Sequence, residues 1–297
     1  GPVDGVGVRR NGGGRLILAG SDCAGLRRQA AALSQWALRL GEASAPPGEC
    51  ACGPSECLMD AEASAPEIVR YLHGVHAGRW GPNCWNSVLV AAKILPALRF
   101  SPPEEMSFWM ASPLCRMLGP EETPVPGDIV AIRAGEGEEV HGFVYVTEEL
   151  VFSKNQLTAA SPYLLQDPEL VFAEFPVPAG CRKVSGAPSA DCPAYANYFR
   201  CGTSAGVEPV TPYASAERTV ADAERSVSKL ALTWKLDPSE RSEKERTLQK
   251  ALEDARSVQD EASAQAQDPS LPEHERLLWR ALQLRIEGVA ASLGWML

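Results

Sequence analysis

The spacing of apolar residues divides the chain into a helical front, a run of short strands and a long helical tail. Leu26, Ala30, Leu33, Trp36, Ala37 and Leu40 recur at helical spacing and predict a helix over 23–40. Arg15-Leu16-Ile17-Leu18-Ala19 before it reads as a short strand, and the Gly-rich residues 1–14 as a flexible lead-in. Residues 42–65, rich in Pro, Gly and Cys, are expected to be an irregular, stapled loop. Ala65-Pro66-Glu67 opens a second helix through Ile68, Val69, Tyr71 and Leu72. Gly81-Pro82 then breaks the chain, Asn83 is a good N-cap, and small or apolar residues at 84, 88, 91, 92 and 95 predict a helix that Pro96 stops. A further short helix is expected from Met106 to Ser112, ended by Pro113.

From Val125 the period changes to two. Strands are predicted at Ile129–Ile132, Val140–Val146, Leu150–Asn155 and Leu170–Phe175, separated by turn residues as in an antiparallel meander. The segment between Cys181 and Cys201 reads as a loop. Everything from Ser215 onward is helical in pattern: Val220, Val227, Leu230 and Trp234 form one stripe, and Asp237-Pro238 and Asp268-Pro269 start two more helices. Their charges read as a solvated face. Helices first and strands after predict an α+β fold, in segments 1–65 (lead-in, helix and Cys-rich loop), 66–205 (core) and 206–297 (a C-terminal helical hairpin or three-helix extension).

Composition narrows the class. The 297 residues are 45% hydrophobic and 22% charged, as in a globular protein. A net charge of -10 with no basic run excludes a nucleic-acid partner. No apolar run has the length of a transmembrane helix. Gly1-Pro2 has the look of a protease-cleavage remnant, so a signal peptide is expected to have been removed. Nine cysteines in loop-like surroundings imply four disulfides with one thiol over, and hence a secreted, periplasmic or cell-envelope location. Their spacings do not match zinc-ligand patterns, and the connectivity is open.

Chemistry centres on Cys84. A thiol in the first turn of a helix sees the positive end of the helix dipole, which favours the nucleophilic thiolate. A cysteine nucleophile needs a base and a group to orient it. Of the four histidines, only His141 lies in an alternating strand, on the face it shares with Phe143 and Tyr145. Asn155, across a hairpin turn, is placed to accept its ring N–H; Ser153 and Lys154 lie in the same segment. Trp80 and Trp85 flank the cysteine and could wall a groove. His73 and His76 read as packing or surface residues that could line the cleft, and His274 as exposed. Ser21-Asp22-Cys23-Ala24-Gly25 offers a rival thiol, but Cys23 is remote from His141 across a Cys-rich loop and is expected to be bridged.

Cys84 at a helix start, then Pro126-Gly127-Asp128-Ile129-Val130, His141-Gly142-Phe143-Val144-Tyr145 and Leu150-Val151-Phe152, in that order, resemble the NlpC/P60 group of papain-like cysteine hydrolases. Asn83-Cys84-Trp85 is similar to the Cys-Trp pair that opens the central helix of papain-like enzymes. The resemblance spans residues 66–176. It differs at the nucleophile, where the family has Asp-Cys-Ser-Gly and this chain has Asn83-Cys84-Trp85-Asn86, and at the position of the family's third polar residue, which is Ser153 here.

The resemblance implies a papain-like core, a Cys-bearing helix packed on an antiparallel sheet, and cleavage of peptide or amide bonds in bacterial cell walls without a cofactor. It also gives Tyr71 a role ahead of the cysteine. The expected machinery is Cys84, His141 and Asn155, with Tyr71, Trp80, Asn83 and Trp85 at the substrate or oxyanion side and the Cys84 backbone N–H as an oxyanion donor. Expected partners are a peptide or peptidoglycan stem-peptide substrate, and a protein bound through the C-terminal helices. Two alternatives stand beside it: an inactive, disulfide-stabilised binding protein with Cys84 bridged to Cys115, and a thiol-dependent acyl-transferring relative.

Overall fold

The computed structural model describes residues 6–77, 81–185, 190–202, 211–232 and 238–296. It is α+β, with antiparallel sheets and C-terminal helices. In chain order the first elements are β1 (Gly7–Arg10), β2 (Leu16–Gly20), α1 (Cys23–Arg39), β3 (Cys50–Cys52), β4 (Cys57–Asp60) and α2 (Glu67–Leu72). Then come α3 (Cys84–Ala91), α4 (Pro103–Ala111), β5 (Cys115–Met117), β6 (Ile129–Ala134), β7 (Glu138–Thr147), β8 (Leu150–Lys154) and β9 (Tyr163–Gln166). Last are α5 (Pro168–Glu174), β10 (Ala194–Cys201), α6 (Thr211–Ala231), α7 (Pro238–Ser257), α8 (Gln259–Gln267) and α9 (Glu273–Met296). Among the described residues no helix is long and apolar enough to cross a membrane.

Contacts divide the chain into two compact units. One takes the described residues of Gly1–His76, Cys115–Asn155 and Pro162–Gly202; the other takes those of Ala77–Leu114, Gln156–Ser161 and Thr203–Leu297. This division cuts across the three segments read from the sequence: the N-terminal helix joins the strands, and the Cys84 helix joins the C-terminal helices.

The first unit holds two antiparallel sheets, ordered β1-β2-β4-β3 and β5-β10-β6-β7-β8-β9. The elements here differ from the sequence expectation at several places. The lead-in forms β1, because Asn11 Oδ1 accepts from Gly13 N and Arg15 N and closes a hairpin onto β2. The 42–65 loop contains β3 and β4. The Cys181–Cys201 loop ends in β10, which pairs with β5 on one side and β6 on the other. Leu170–Phe175 is not a strand: Asp167 caps Glu169 N, Pro168 occupies the first turn, and the segment is α5.

Helix α1, capped by Asp22 Oδ1 on Gly25 N at 2.7 Å, buries Leu26, Ala30, Leu33 and Trp36 over β2 and β4. Gly127 shows why its turn takes glycine: φ is +91°, and a Cβ there would lie 2.6 Å from Trp36 Cδ1. Buried Asp128 beside it pairs with Arg39 and Arg200 and accepts from Val125 N, which fixes the entry to β6.

Four disulfides form, as the odd cysteine count implied: Cys23–Cys50, Cys52–Cys57, Cys115–Cys201 and Cys181–Cys192. Cys84 is the cysteine outside them. The bridge from Cys84 to Cys115 is thereby corrected: Cys115 stands opposite Cys201 in the β5–β10 register and bonds to it.

The second unit packs α3 and α4 with α6–α9. The predicted extension has four helices among its described residues, since the second predicted helix breaks at Val258 into α7 and α8. Val220, Val227, Leu230, Leu248, Trp279, Leu282, Ile286 and Val289 form its core; Trp234 of the predicted stripe lies outside the described residues. The charges are not all solvated. Fully buried Arg99 donates to both oxygens of Glu105 on α4 and to Glu224 on α6, and Arg285 on α9 donates to Glu224 and Glu217. Burial works against each guanidinium charge, but the facing carboxylates outweigh it and raise the pKa of both arginines. Gly288 lets α9 approach this cluster: a Cβ there would lie 2.2 Å from Arg99 Nη1.

Candidate active site

In the first unit, period-two alternation brings His141 and its hydrogen-bond partners to one sheet face. Tyr145 pairs with Val151 across β7 and β8, so His141, Phe143 and Tyr145 share a face with Val151, Ser153 and Asn155. Val130, Ile132, Phe143 and Val151 on that face pack under Val171 and Phe172 of α5. The residue after α5, Phe175, stacks on His141 with ring centroids 4.0 Å apart and 7° between planes. His141 is fully buried. Desolvation alone lowers its pKa from 6.5 to about 3, so the imidazole is neutral at physiological pH.

The hydrogen bonds decide where its ring proton sits. Asn155 Nδ2 donates to Glu174 Oε2 at 2.7 Å, and a carboxylate can only accept. Asn155 Oδ1 therefore faces inward, where it accepts from Ser153 Oγ at 2.7 Å and from Gln166 Nε2 at 2.9 Å. Ser153 has one proton and gives it to Asn155, so toward His141 it accepts. Nε2 of His141, 3.0 Å from Ser153 Oγ, bears the ring proton. Nδ1 keeps its lone pair and has no hydrogen-bond partner among the described residues. Such an imidazole can take up a proton at Nδ1 and no other ring atom.

Asn155 was expected to touch His141 directly. Instead Ser153 stands between them, and Asn155 acts one bond further out. Gln166 and Glu174 complete the chain; neither carried a sequence signal of its own, since Gln166 contributes only through the register of β8 with β9 and Glu174 only as the last residue of α5.

In the second unit, Cys84 is buried at the first position of α3. Asn83 is the N-cap: its Oδ1 accepts from Asn86 N at 3.1 Å and from Ser101 N at 3.3 Å, and its Nδ2 donates to Ser101 O at 2.7 Å. Its amide is thus engaged within the fold rather than presented to a substrate. Asn86 accepts from Arg99 N and donates to Ala97 O and Ser101 Oγ, while Ser87 Oγ donates to Asn83 O. This polar layer, all buried, joins the Cys84 helix start to the Arg99–Glu105–Glu224 cluster and fixes the backbone that carries the thiol. Asn86, Ser87 and Arg99 were not singled out by sequence, although polar residues on an otherwise apolar helix are themselves a signal.

The remaining expected site residues are dispersed. Tyr71, on α2 of the first unit, is 69% exposed and takes no part in the His141 chain. Trp85 is half-buried, and its indole N–H has no acceptor among the described residues. Trp80 lies outside the described residues. His73 is buried and accepts from Leu165 N through Nδ1 at 3.0 Å, which holds α2 to β9; desolvation and Arg10 lower its pKa to about 4. His76 bridges to Pro162, and His274 is exposed. Cys23, the rival thiol, is in a disulfide.

Comparison of the chain with protein-family models, with curated proteins and with solved structures finds no match.

Proposed function

We propose that this chain is a secreted or cell-envelope cysteine hydrolase with a papain-like, NlpC/P60-like core that cleaves peptide or amide bonds, in a protein or a cell-wall stem peptide. Cys84 is the nucleophile, His141 the general base and then acid, and Ser153 and Asn155 the positioning residues. The observation that carries this reading is the single tautomer of His141: Nε2–H is held by Ser153 while Nδ1 keeps a lone pair for a substrate-side proton. The thiol supports it, because eight of nine cysteines are bonded and the ninth opens a capped helix. Four disulfides support an oxidising compartment.

In this mechanism the neutral His141 Nδ1 removes the Cys84 proton as sulfur attacks the carbonyl carbon. The resulting imidazolium is stabilised through the Ser153–Asn155–Glu174 chain and returns its proton to the leaving amine. Water then attacks the thioester, with His141 again as base. The Cys84 backbone N–H, at the start of α3, serves the oxyanion. Cys84 belongs to the second unit and His141 to the first. The test is digestion of a peptide library and of purified peptidoglycan with the protein and with Cys84→Ala. New amine termini that appear only with the former bear the reading out; no cleavage, or equal cleavage by the variant, overturns it.

A further inference from the structure

Strand β3 is an edge of the four-stranded sheet, and its C-x-C sequence puts Cys50 and Cys52 on one side of it. Cys57 stands opposite Cys52 in the register of β4. Cys23, the first residue of α1, reaches the same side and bonds Cys50, while Cys52 bonds Cys57. The two disulfides touch: Cys23 Sγ lies 3.4 Å from Cys52 Sγ, and the sulfurs of Cys23, Cys52 and Cys57 are all within 4.8 Å of one another. Neither touching sulfur carries a proton, so the approach is one of two disulfides and not a hydrogen bond. Cys52 is exposed and Cys57 buried.

We propose that these four cysteines form a thiol–disulfide exchange site, which accepts electrons from a dithiol reductant at Cys52 and passes the remaining bond to Cys23. A thiolate of the reductant attacks exposed Cys52 Sγ, forming a mixed disulfide and displacing Cys57 as a thiolate that takes up a proton. The reductant's second thiol closes its own disulfide and releases Cys52, so two electrons and two protons have moved to the hairpin pair. The Cys52 thiolate then attacks Cys23 Sγ. The Cys23–Cys52 bond forms, the Cys23–Cys50 bond breaks, and the electron pair leaves on Cys50, which takes up a proton. This second step is redox-neutral.

Chain entropy sets which bond survives. The Cys23–Cys50 bond closes a separation of 27 residues and a Cys23–Cys52 bond one of 29, so the two constrain the chain almost equally. The Cys52–Cys57 bond closes only 5, and is the one the site gives up. Helix α1 stays stapled to β3 throughout, while its partner on β3 changes.

The test treats the whole chain with one equivalent of dithiothreitol, quenches in acid, blocks thiols with N-ethylmaleimide and maps bonds by mass spectrometry of unreduced peptides. The expected two-electron product has Cys23 divided between Cys50 and Cys52, with Cys115–Cys201 and Cys181–Cys192 intact. In Cys52→Ser/Cys57→Ser, the Cys23–Cys50 bond is expected to open about ten-fold more slowly, because its internal attacking thiol is gone. Cys23 bonded only to Cys50 in the two-electron product, earlier reduction of the other two disulfides, or an unchanged rate in the variant each overturns the proposal. The wild-type map stands whether or not the variant folds.

Discussion

Ser153 Oγ lies 3.0 Å from His141 Nε2 and, 2.7 Å away on its other side, hands its proton to Asn155. The direction of that second bond fixes the first, and Glu174 fixes both by admitting only a donor from Asn155. Nitrogen-15 spectra of the histidine side chains should therefore show His141 as the pure Nε2–H tautomer. In Glu174→Gln the partner can donate or accept, the Asn155 amide can turn, and a second tautomer should become visible. In Ser153→Ala the buried Nε2–H loses its acceptor, and denaturant titration should show a loss of about 1–3 kcal/mol.

Phe175 covers one face of the buried His141 ring. Phe175→Ala should let the imidazole hydrate, and its pKa should climb from about 3 toward the ordinary 6.5. A proton-NMR titration of the ring reads this without any substrate. If turnover is measured, the acid limb should move up in pH with it, because the base must be neutral.

Acid sensitivity follows from two buried histidines. The folded pKa values of His73 and His141 lie near 4 and 3, below the unfolded value of 6.5, so the unfolded chain binds more protons as pH falls. Stability from these groups is complete above pH 6.5 and is lost as pH falls through and below that value. Each contributes a slope of about 1.4 kcal/mol per pH unit between 6.5 and its folded pKa. In His73→Asn, whose side-chain oxygen can still accept from Leu165 N, the measured slope over that window should fall by about that amount.

The Arg99 cluster predicts opposite signs for two substitutions on one helix. Gly288→Ala adds a Cβ within 2.2 Å of Arg99 Nη1 and 2.8 Å of Phe100 O, and should destabilise by about 1–3 kcal/mol despite alanine's helix propensity. Gly294→Ala meets nothing within 4 Å and should stabilise by about 0.5–1 kcal/mol. Equal effects in thermal denaturation would contradict the packing described.

Period-two alternation made β6, β7 and β8 legible, and with them the face that joins His141 to Asn155. Asn83 likewise marked the start of α3. Ser153 as the intermediate was not legible, because parity places residues on a face without saying which side chain is long enough to touch. Helix α5 is signalled by Asp167-Pro168, but the short apolar run Leu170–Phe175 has the length and composition of a strand as well, and periodicity alone does not separate the two. Glu224 sits within the Val220–Val227 stripe, a carboxylate on an apolar face; what made it buried was Arg99 and Arg285, both distant in sequence. The two units are discontinuous in sequence, which no composition shift announces.

The proposed activity requires Cys84 to be a nucleophile activated by His141. The most direct measurement is the rate at which native Cys84 is alkylated by iodoacetamide at neutral pH, read by mass spectrometry in the wild type and in His141→Ala. Labelling of the folded wild type, slowed on the order of 100-fold or more in the variant, is the predicted result. Labelling at the same rate in His141→Ala, or labelling of Cys84 only after unfolding, would contradict it.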